Sequence, residues 1–323
     1  VLARHQGRCC VPACENQAVD AHHIIDRKLW ADGGFYLENG AAVCADCHWL
    51  AETRVYSPQQ LAQWSGFSEV ALPESVALDE GETCDKWGNL CADGLWFPGP
   101  MFWEDQVQKI LKDTGALPNF QKKVKYPRTM HLPWSPGLKN DDRVIETLDV
   151  LSSASDYVVT EKMDGENTTF TSEFCWARSV NSGTHPTRTR VFAEWATVRH
   201  DIPAGWRITG ENLHAVHSVQ YQDLPSAFLV FGIWDERSNL LSWSDTEMWA
   251  QLLGLNTVPV LYRGPNFDAA VAAWVSSFKE DSSEGFVVRW AESFPASQWP
   301  LKAAKWVRAN HVQTKDDWRH RSD

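Results

Sequence analysis

Lys162 stands in the run Glu161-Lys162-Met163-Asp164-Gly165-Glu166-Asn167, after the apolar Tyr157-Val158-Val159 and before Thr168-Thr169-Phe170. A lysine that acts as a nucleophile needs a strand end facing a cleft, where its amine can lose a proton, and a glycine nearby so that the backbone can turn tightly. The same residues also satisfy a plain surface turn, because Asp-Gly is a common hairpin signal and lysine is usually solvated. A second group of chemistry-bearing residues lies near the amino terminus. Cys9-Cys10-Val11-Pro12-Ala13-Cys14 and Cys44-Ala45-Asp46-Cys47 form two cysteine pairs, and such pairs can supply four thiolates to a tetrahedral zinc. Cys44 and Cys47 make one half of the set. In the other half the spacing allows either Cys9 or Cys10 beside Cys14, and Cys10 is preferred. Between the pairs lie Asp20-Ala21-His22-His23-Ile24-Ile25 and Leu37-Glu38-Asn39-Gly40, and His48 follows Cys47 directly.

Downstream of Lys162, four further stretches follow one another: Gly210-Glu211-Asn212-Leu213, Leu229 to Asp235 around Phe231, Glu284-Gly285-Phe286-Val287-Val288-Arg289, and Leu301-Lys302-Ala303-Ala304-Lys305-Trp306-Val307-Arg308. They resemble motifs III, IIIa, IV and V of the covalent nucleotidyltransferase superfamily of ATP-dependent ligases and capping enzymes. Lys162 falls in motif I, and Trp176-Ala177-Arg178-Ser179 resembles motif Ia. The spelling Lys-x-Asp-Gly-x-Asn resembles the RNA ligases of the nick-sealing type. The resemblance covers residues 125–312 and implies antiparallel sheets enclosing an ATP cleft. It implies that Lys162 takes AMP from ATP, that AMP passes to a 5′-phosphate, and that a 3′-hydroxyl displaces it. Glu211 and Glu284 would serve the ribose and a Mg2+ or Mn2+ ion. Phe231 would stack on adenine, and Arg178 would contact ribose or phosphate. Asn167 would contact the phosphates or the RNA end, with Glu161 among the nucleotide-binding residues and Asp164 among the catalytic ones. Lys302 and Lys305 would neutralise the triphosphate. Motif V usually has its lysines two apart, on one face of a strand, whereas these are three apart, so Lys305 is preferred to Lys302. An ATP-dependent DNA ligase is the alternative; the chain ends shortly after motif V, and the lack of a trailing OB domain there favours RNA.

The amino-terminal residues resemble the HNH endonuclease module, a zinc-stapled hairpin and helix. This resemblance implies zinc on Cys10, Cys14, Cys44 and Cys47, a second metal on His22 and His48, and His23 as the base that deprotonates water. Asn39 would fix the loop or complete that second site. A hydrolytic metal needs such a set: ligands that leave coordination positions open, with a base beside them. The module then either cuts nucleic acid, making the protein a nuclease and ligase in one chain, or only recognises it.

Positioning these residues calls for an α+β chain. A small ββα module is expected over 1–55, an acidic connector with short helices over 56–124, and the ligase-like part over 125–323. Ser57-Pro58-Gln59-Gln60 reads as a capped helix start, and Phe102 to Lys112 as an amphipathic helix burying Trp103, Val107, Ile110 and Leu111. Cys84 and Cys91 read as unpaired thiols. Acidic residues outnumber basic ones ten to three between Tyr56 and Phe120, whereas Lys122 to Arg128 is a basic run. The formal net charge of −12 argues against coating nucleic acid by bulk electrostatics, so RNA ends would have to meet local patches. No apolar run is long enough to span a membrane and no signal peptide opens the chain, so a cytoplasmic protein is expected.

Overall fold

The computed structural model describes residues 1–76, 78–138, 142–180, 186–214, 219, 221, 223–277 and 283–309. The chain divides into two compact units, Val1–Pro127 and Arg128–Asp323. The last residues of the ligase-like resemblance, 310–312, lie outside the described residues. No described helix is long and apolar enough to cross a membrane.

In the first unit, β1 (Asp20–His23) pairs antiparallel with β2 (Gly40–Val43), and α1 (Ala45–Glu52) follows, so the order is ββα. Its small core gathers Cys9, Val11, Ile24, Ala41, Val43, Cys44, Cys47 and Leu61. α2 (Pro58–Trp64) starts as the sequence predicts: Ser57 Oγ accepts from the Gln60 N–H at 3.2 Å, and Gln60 Oε1 accepts from the Ser57 N–H at 2.9 Å.

The segment 56–124 folds with the module. β3 (Thr83–Cys84), β4 (Leu90–Ala92) and β5 (Leu95–Phe97) form a small antiparallel sheet, and α3 (Asp105–Asp113) buries Val107 and Leu111 against Ile25, Leu29, Trp87 and Met101. Trp103 precedes that helix and is half-buried outside this cluster. The acidic composition concealed these anchors, because a few well-spaced apolar residues suffice to bury one helix face.

The second unit holds two sheets. Its elements are β6 (Met130–His131), β7 (Tyr157–Lys162), β8 (Glu166–Phe170), β9 (Cys175–Ala177), α4 (Thr189–Val198), β10 (Arg207–Asn212), β11 (Phe228–Trp234), β12 (Asn239–Leu240), α5 (Trp243–Leu252), β13 (Asn256–Thr257), β14 (Val260–Gly264), α6 (Phe267–Ser277), β15 (Gly285–Trp290), β16 (Phe294–Pro295), α7 (Trp299–Lys302) and β17 (Ala303–Val307). One sheet runs β16-β12-β11-β10-β8-β9, with β13 on β11; the other runs β14-β7-β15-β17-β6. All pairings are antiparallel except β13 on β11 and β6 on β17.

Each sheet is covered on one face by its own cluster. Tyr157, Val159, Phe286, Val288 and Ala304 pack with Ala270 of α6, and Phe170, Ile208, Phe228, Val230 and Ile233 pack with Val191 of α4 and Ala250 of α5. A third cluster joins the opposite faces through Val158, Met163, Leu213, Leu229, Trp243 and Val258. β7 is therefore buried on both faces, which is why Tyr157-Val158-Val159 reads as a continuous apolar run.

Candidate functional site

Strand alternation decides which side chains meet in the second unit. Tyr157 and Val159 face α6, so Val158, Thr160 and Lys162 face the other sheet. On β17, Ala304 and Trp306 belong to the α6 side, leaving Lys305 on the inter-sheet side. On β10 and β8, Ile208 and Phe170 face outward, so Glu211 and Asn167, which are register partners, face inward. Phe231 sits at a bulge in β11, between partners of Thr209 and Gly210, and packs half-buried against the inter-sheet cluster.

The Lys162 ammonium donates to Glu284 Oε2 at 2.5 Å. The turn after it is pinned by neighbours late in sequence: Gly165 N–H donates to Glu211 Oε1 at 3.0 Å, Asp164 N–H to Tyr221 Oη at 2.8 Å, and Asp164 Oδ2 accepts from Val219 N–H at 2.9 Å. Gly165 is not required by a left-handed backbone, since it is absent from the positive-φ glycines. Its need is space, because a Cβ there would lie 2.5 Å from the Asn212 carbonyl oxygen. Glu161 accepts from Ser283 Oγ at 2.9 Å. Arg178 follows β9 and is exposed; its N–H bonds the Asn167 carbonyl at 3.0 Å, whereas Asn167 Oδ1 is buried without a hydrogen-bond partner.

Lys302 is not brought to this site. It ends α7, and its ammonium lies 3.8 Å from the centre of the Trp290 ring and 5.3 Å from that of Phe294. Three-residue spacing across the helix-to-strand junction sends the two lysines to different surroundings. The structure also adds residues that no motif pointed to. Arg188 makes a buried two-toothed ion pair with Glu166, Nε at 3.0 and 2.9 Å from the two carboxylate oxygens and Nη2 at 2.5 Å from Oε1. His131 and Asp142 adjoin Lys305, with the Lys305 ammonium 3.5 Å from Asp142 Oδ1.

The charges are mutually dependent. Burial lowers the Lys162 pKa, but Glu284, Glu211 and Asp164 together outweigh it, so the ammonium is held above the usual lysine range. Burial pushes Glu211 up to about 8 despite the pull of Lys162, with Glu284 adding repulsion. Burial, helped by Lys162 and Arg178 and opposed by Asp142, lowers Lys305. Glu284, Glu211 and Asp164 all act on the Lys162 ammonium, but Glu211 leans to its neutral form, so the charge around the amine is balanced chiefly by Glu284 and Asp164.

In the first unit, Cys9, Cys14, Cys44 and Cys47 form one cluster, and Cys9 replaces the expected Cys10. Cys10 is buried in the same core but its thiol lies outside the cluster. The Cys14 sulfur lies 3.8 Å from those of both Cys44 and Cys47. A tetrahedral zinc with Zn–S bonds of about 2.3 Å has sulfur edges of about 3.8 Å, so the set fits zinc. Burial raises Cys44, yet hydrogen bonds led by the Cys47 N–H bring it down to about 7, close to thiolate formation.

A second cluster joins His22, His48 and Glu52. His22 is 2% exposed and neither of its ring nitrogens has a hydrogen-bond partner. Burial, then Lys86 and His48, hold it far below the usual histidine range, so it presents a neutral imidazole, the form that ligates metal. His48 Nε2 lies 3.3 Å from Glu52 Oε1 and its Nδ1 3.2 Å from Asp20 Oδ2, and the Lys86 ammonium bonds Glu52. Of the two roles expected of Asn39 it has the loop-fixing one, and Glu52 completes the cluster, its i, i+4 spacing from His48 on α1 being the available signal. Asn39 is spent on the loop: Oδ1 accepts from Ile25 N–H at 2.8 Å, and Nδ2 donates to the Ile25 and Gly34 carbonyls. His23 is outside the cluster, because the next residue of a strand faces the other way, and its ring packs edge-on to Phe35.

A family model described as RNA ligase matches residues 155–307. Among solved structures, an archaeal ATP-dependent RNA ligase is similar at 19% identity and a TM-score of 0.42, over 58% of this chain and 48% of that one. A mutant Naegleria gruberi RNA ligase with ATP and Mn is similar at 15% identity and a TM-score of 0.39, over 73% of this chain and 78% of that one. The chain thus spans about half the length of the archaeal ligase it resembles. No curated protein matches it.

Proposed function

We propose that this protein is an ATP-dependent ligase that joins RNA 5′-phosphate and 3′-hydroxyl ends through a lysyl-AMP intermediate on Lys162. The observation that carries the reading is the Lys162 ammonium 2.5 Å from Glu284, in a turn whose Gly165 N–H is held by Glu211, within the segment matched by the RNA ligase family. In the first step the Lys162 nitrogen attacks the α-phosphorus of ATP. A P–N bond forms, the bond from the α-phosphorus to the bridging oxygen breaks, and pyrophosphate leaves with that electron pair. Glu211 and Glu284 would hold a Mg2+ or Mn2+ ion, which when bound would supply Lewis acidity and offset phosphate charge.

The chain's own residues do the rest. Glu284 orients the amine and is placed to take its proton. Lys305 and Arg178 meet the phosphates, while Phe231 presents its ring to the adenine. Asn167, whose Oδ1 is left unpartnered, binds a donor on the nucleotide or the RNA end. AMP then passes to a 5′-phosphate, and a 3′-hydroxyl displaces it to close the strand.

The test is labelling with ATP carrying 32P at the α-phosphate, followed by nicked RNA, DNA and hybrid duplexes. An acid-labile adduct in wild type that is absent from Lys162→Ala supports the ligase. Faster sealing of an all-DNA nick than of RNA-containing ones would make the protein an ATP-dependent DNA ligase instead.

A second reading concerns the first unit, which we propose is an HNH-like module with one structural zinc and a divalent cation on His22, His48 and Glu52. The buried His22 ring favours it, since neither nitrogen makes a hydrogen bond and Nδ1 lies 3.5 Å from Glu52 Oε1. Cleavage of RNA or DNA in Mn2+ that is lost in His48→Ala makes the module a nuclease. Absence of cleavage, with end-joining impaired by His48→Ala but adenylylation intact, makes it a recognition device.

A further inference from the structure

We infer that His131 and Asp142 are positioning residues for Lys305: a braced imidazole holds the Asp142 carboxylate against the Lys305 ammonium and so aims that cation at the site of Lys162. What the ammonium does there rests on the ligase reading, but the pair itself lies outside the segment that the RNA ligase family matches, residues 155–307.

The arrangement is built from backbone outward. β6 pairs parallel with β17, with His131 opposite Lys305. The chain after Asp142 is stitched to the same strand, because the His131 N–H donates to the Arg143 carbonyl at 2.8 Å and the Ile145 N–H to the His131 carbonyl at 2.9 Å. Asp142 is thereby carried to the edge of the Lys305 side chain. His131 is 1% exposed, so its orientation is set by partners rather than by water. Its Nδ1 lies 2.8 Å from Ser135 Oγ, and that hydroxyl accepts from the Val307 N–H at 2.9 Å. Having accepted from the backbone, the hydroxyl gives its proton to Nδ1 in preference to the Val307 carbonyl, which is 3.4 Å away. The ring proton then sits on Nε2, which lies 3.2 Å from Asp142 Oδ1, the same oxygen that accepts from Lys305, but makes no aligned hydrogen bond to it, so the imidazole steadies the carboxylate by proximity. This tautomer assignment follows from the hydrogen-bond partners.

The charged groups that face Lys305 are Asp142, Lys162, Arg178 and, through the shared carboxylate, His131. A half-buried lysine beside two cations tends to shed its proton, and Asp142 is the group that opposes this. A partly exposed ion pair at 3.5 Å is a poor device for stability, because solvent screening and side-chain entropy offset its attraction. Its use is to keep Lys305 charged and extended until an anionic phosphate takes the place of the carboxylate.

The test is the pH profile of Lys305 acetylation in the full chain, read by mass spectrometry without ATP. In Asp142→Asn the pH of half-maximal reactivity falls by about one unit, and in His131→Gln by less. An unchanged profile in Asp142→Asn overturns the inference, whether or not the protein labels with ATP, whereas missing label on wild-type Lys162 overturns only the ligase reading. With ATP, Asp142→Asn raises KM for lysyl-AMP formation by roughly tenfold with kcat less affected, and Lys305→Arg in that background restores it, because guanidinium does not lose its proton. A loss of labelling that tracks a lowered melting temperature, with the acetylation profile unmoved, assigns the pair to folding alone and overturns its positioning role.

Discussion

Glu284 Oε2 stands 2.5 Å from the Lys162 ammonium although 122 residues separate the two in sequence, because β15 pairs with β7 so that Gly285 lies opposite Lys162. Gly285 must be glycine for the next strand to close on it, since a Cβ there would meet the Trp306 carbonyl oxygen at 2.0 Å. The contact keeps the amine protonated in the nucleotide-free protein. Lys162→Ala is expected to give no covalent AMP, and Glu284→Ala to slow labelling by about a hundredfold or more by removing the group that orients the amine. Quantitative labelling with 32P at the α-phosphate checks both.

The thiol cluster separates two neighbouring cysteines. Cys9→Ser is expected to lower zinc from one per chain to a small residue and to destabilise the first unit, while Cys10→Ser retains the metal. Elemental analysis of the purified variants, alongside circular dichroism before and after chelation, decides it. Lys162 adenylylation is expected to survive chelation of the zinc, because Lys162 lies in the other unit, with its own buried clusters.

Glu52 and Asn39 are expected to fail in different ways. Glu52→Gln weakens Mn2+ binding by about tenfold or more while leaving the melting temperature nearly unchanged. Asn39→Ala removes three buried hydrogen bonds to the loop and destabilises the first unit by about 2 kcal/mol or more. Calorimetric titration with Mn2+ and urea unfolding distinguish a ligand from a loop anchor.

His131 ties stability to pH. Burial, with the nearby Lys305 next, lowers its pKa to about 4 against an ordinary 6.5. The folded state therefore holds fewer protons than the unfolded one between those values, so the stabilisation is complete above pH 6.5 and is lost as pH falls towards 4. The slope is about 1 kcal/mol per pH unit, and His131→Gln is expected to flatten it in urea unfolding of the second unit at pH 7, 6 and 5.

The local chemistry was legible in the residue order. A Lys-x-Asp-Gly after an apolar run, Cys-x-x-Cys followed by histidine, and a Ser-Pro-Gln-Gln helix start each depend on neighbours within a few residues. What the sequence left open was decided by register and alternation. Cys9 and Cys10 have interchangeable spacings, and only the folded loop selects Cys9 for the thiol cluster. Lys302 and Lys305 are separated by the end of a helix, which turns one onto Trp290 and the other towards Asp142. The segment 56–124 reads as an acidic connector by composition, yet its few apolar residues meet Ile25 and Leu29, far back in the chain, in one buried cluster. Glu52, His131 and Asp142 carry no motif of their own. Their roles come from distance in space, which pattern along the chain does not encode and which packing of the two sheets and the zinc-sized thiol cluster sets.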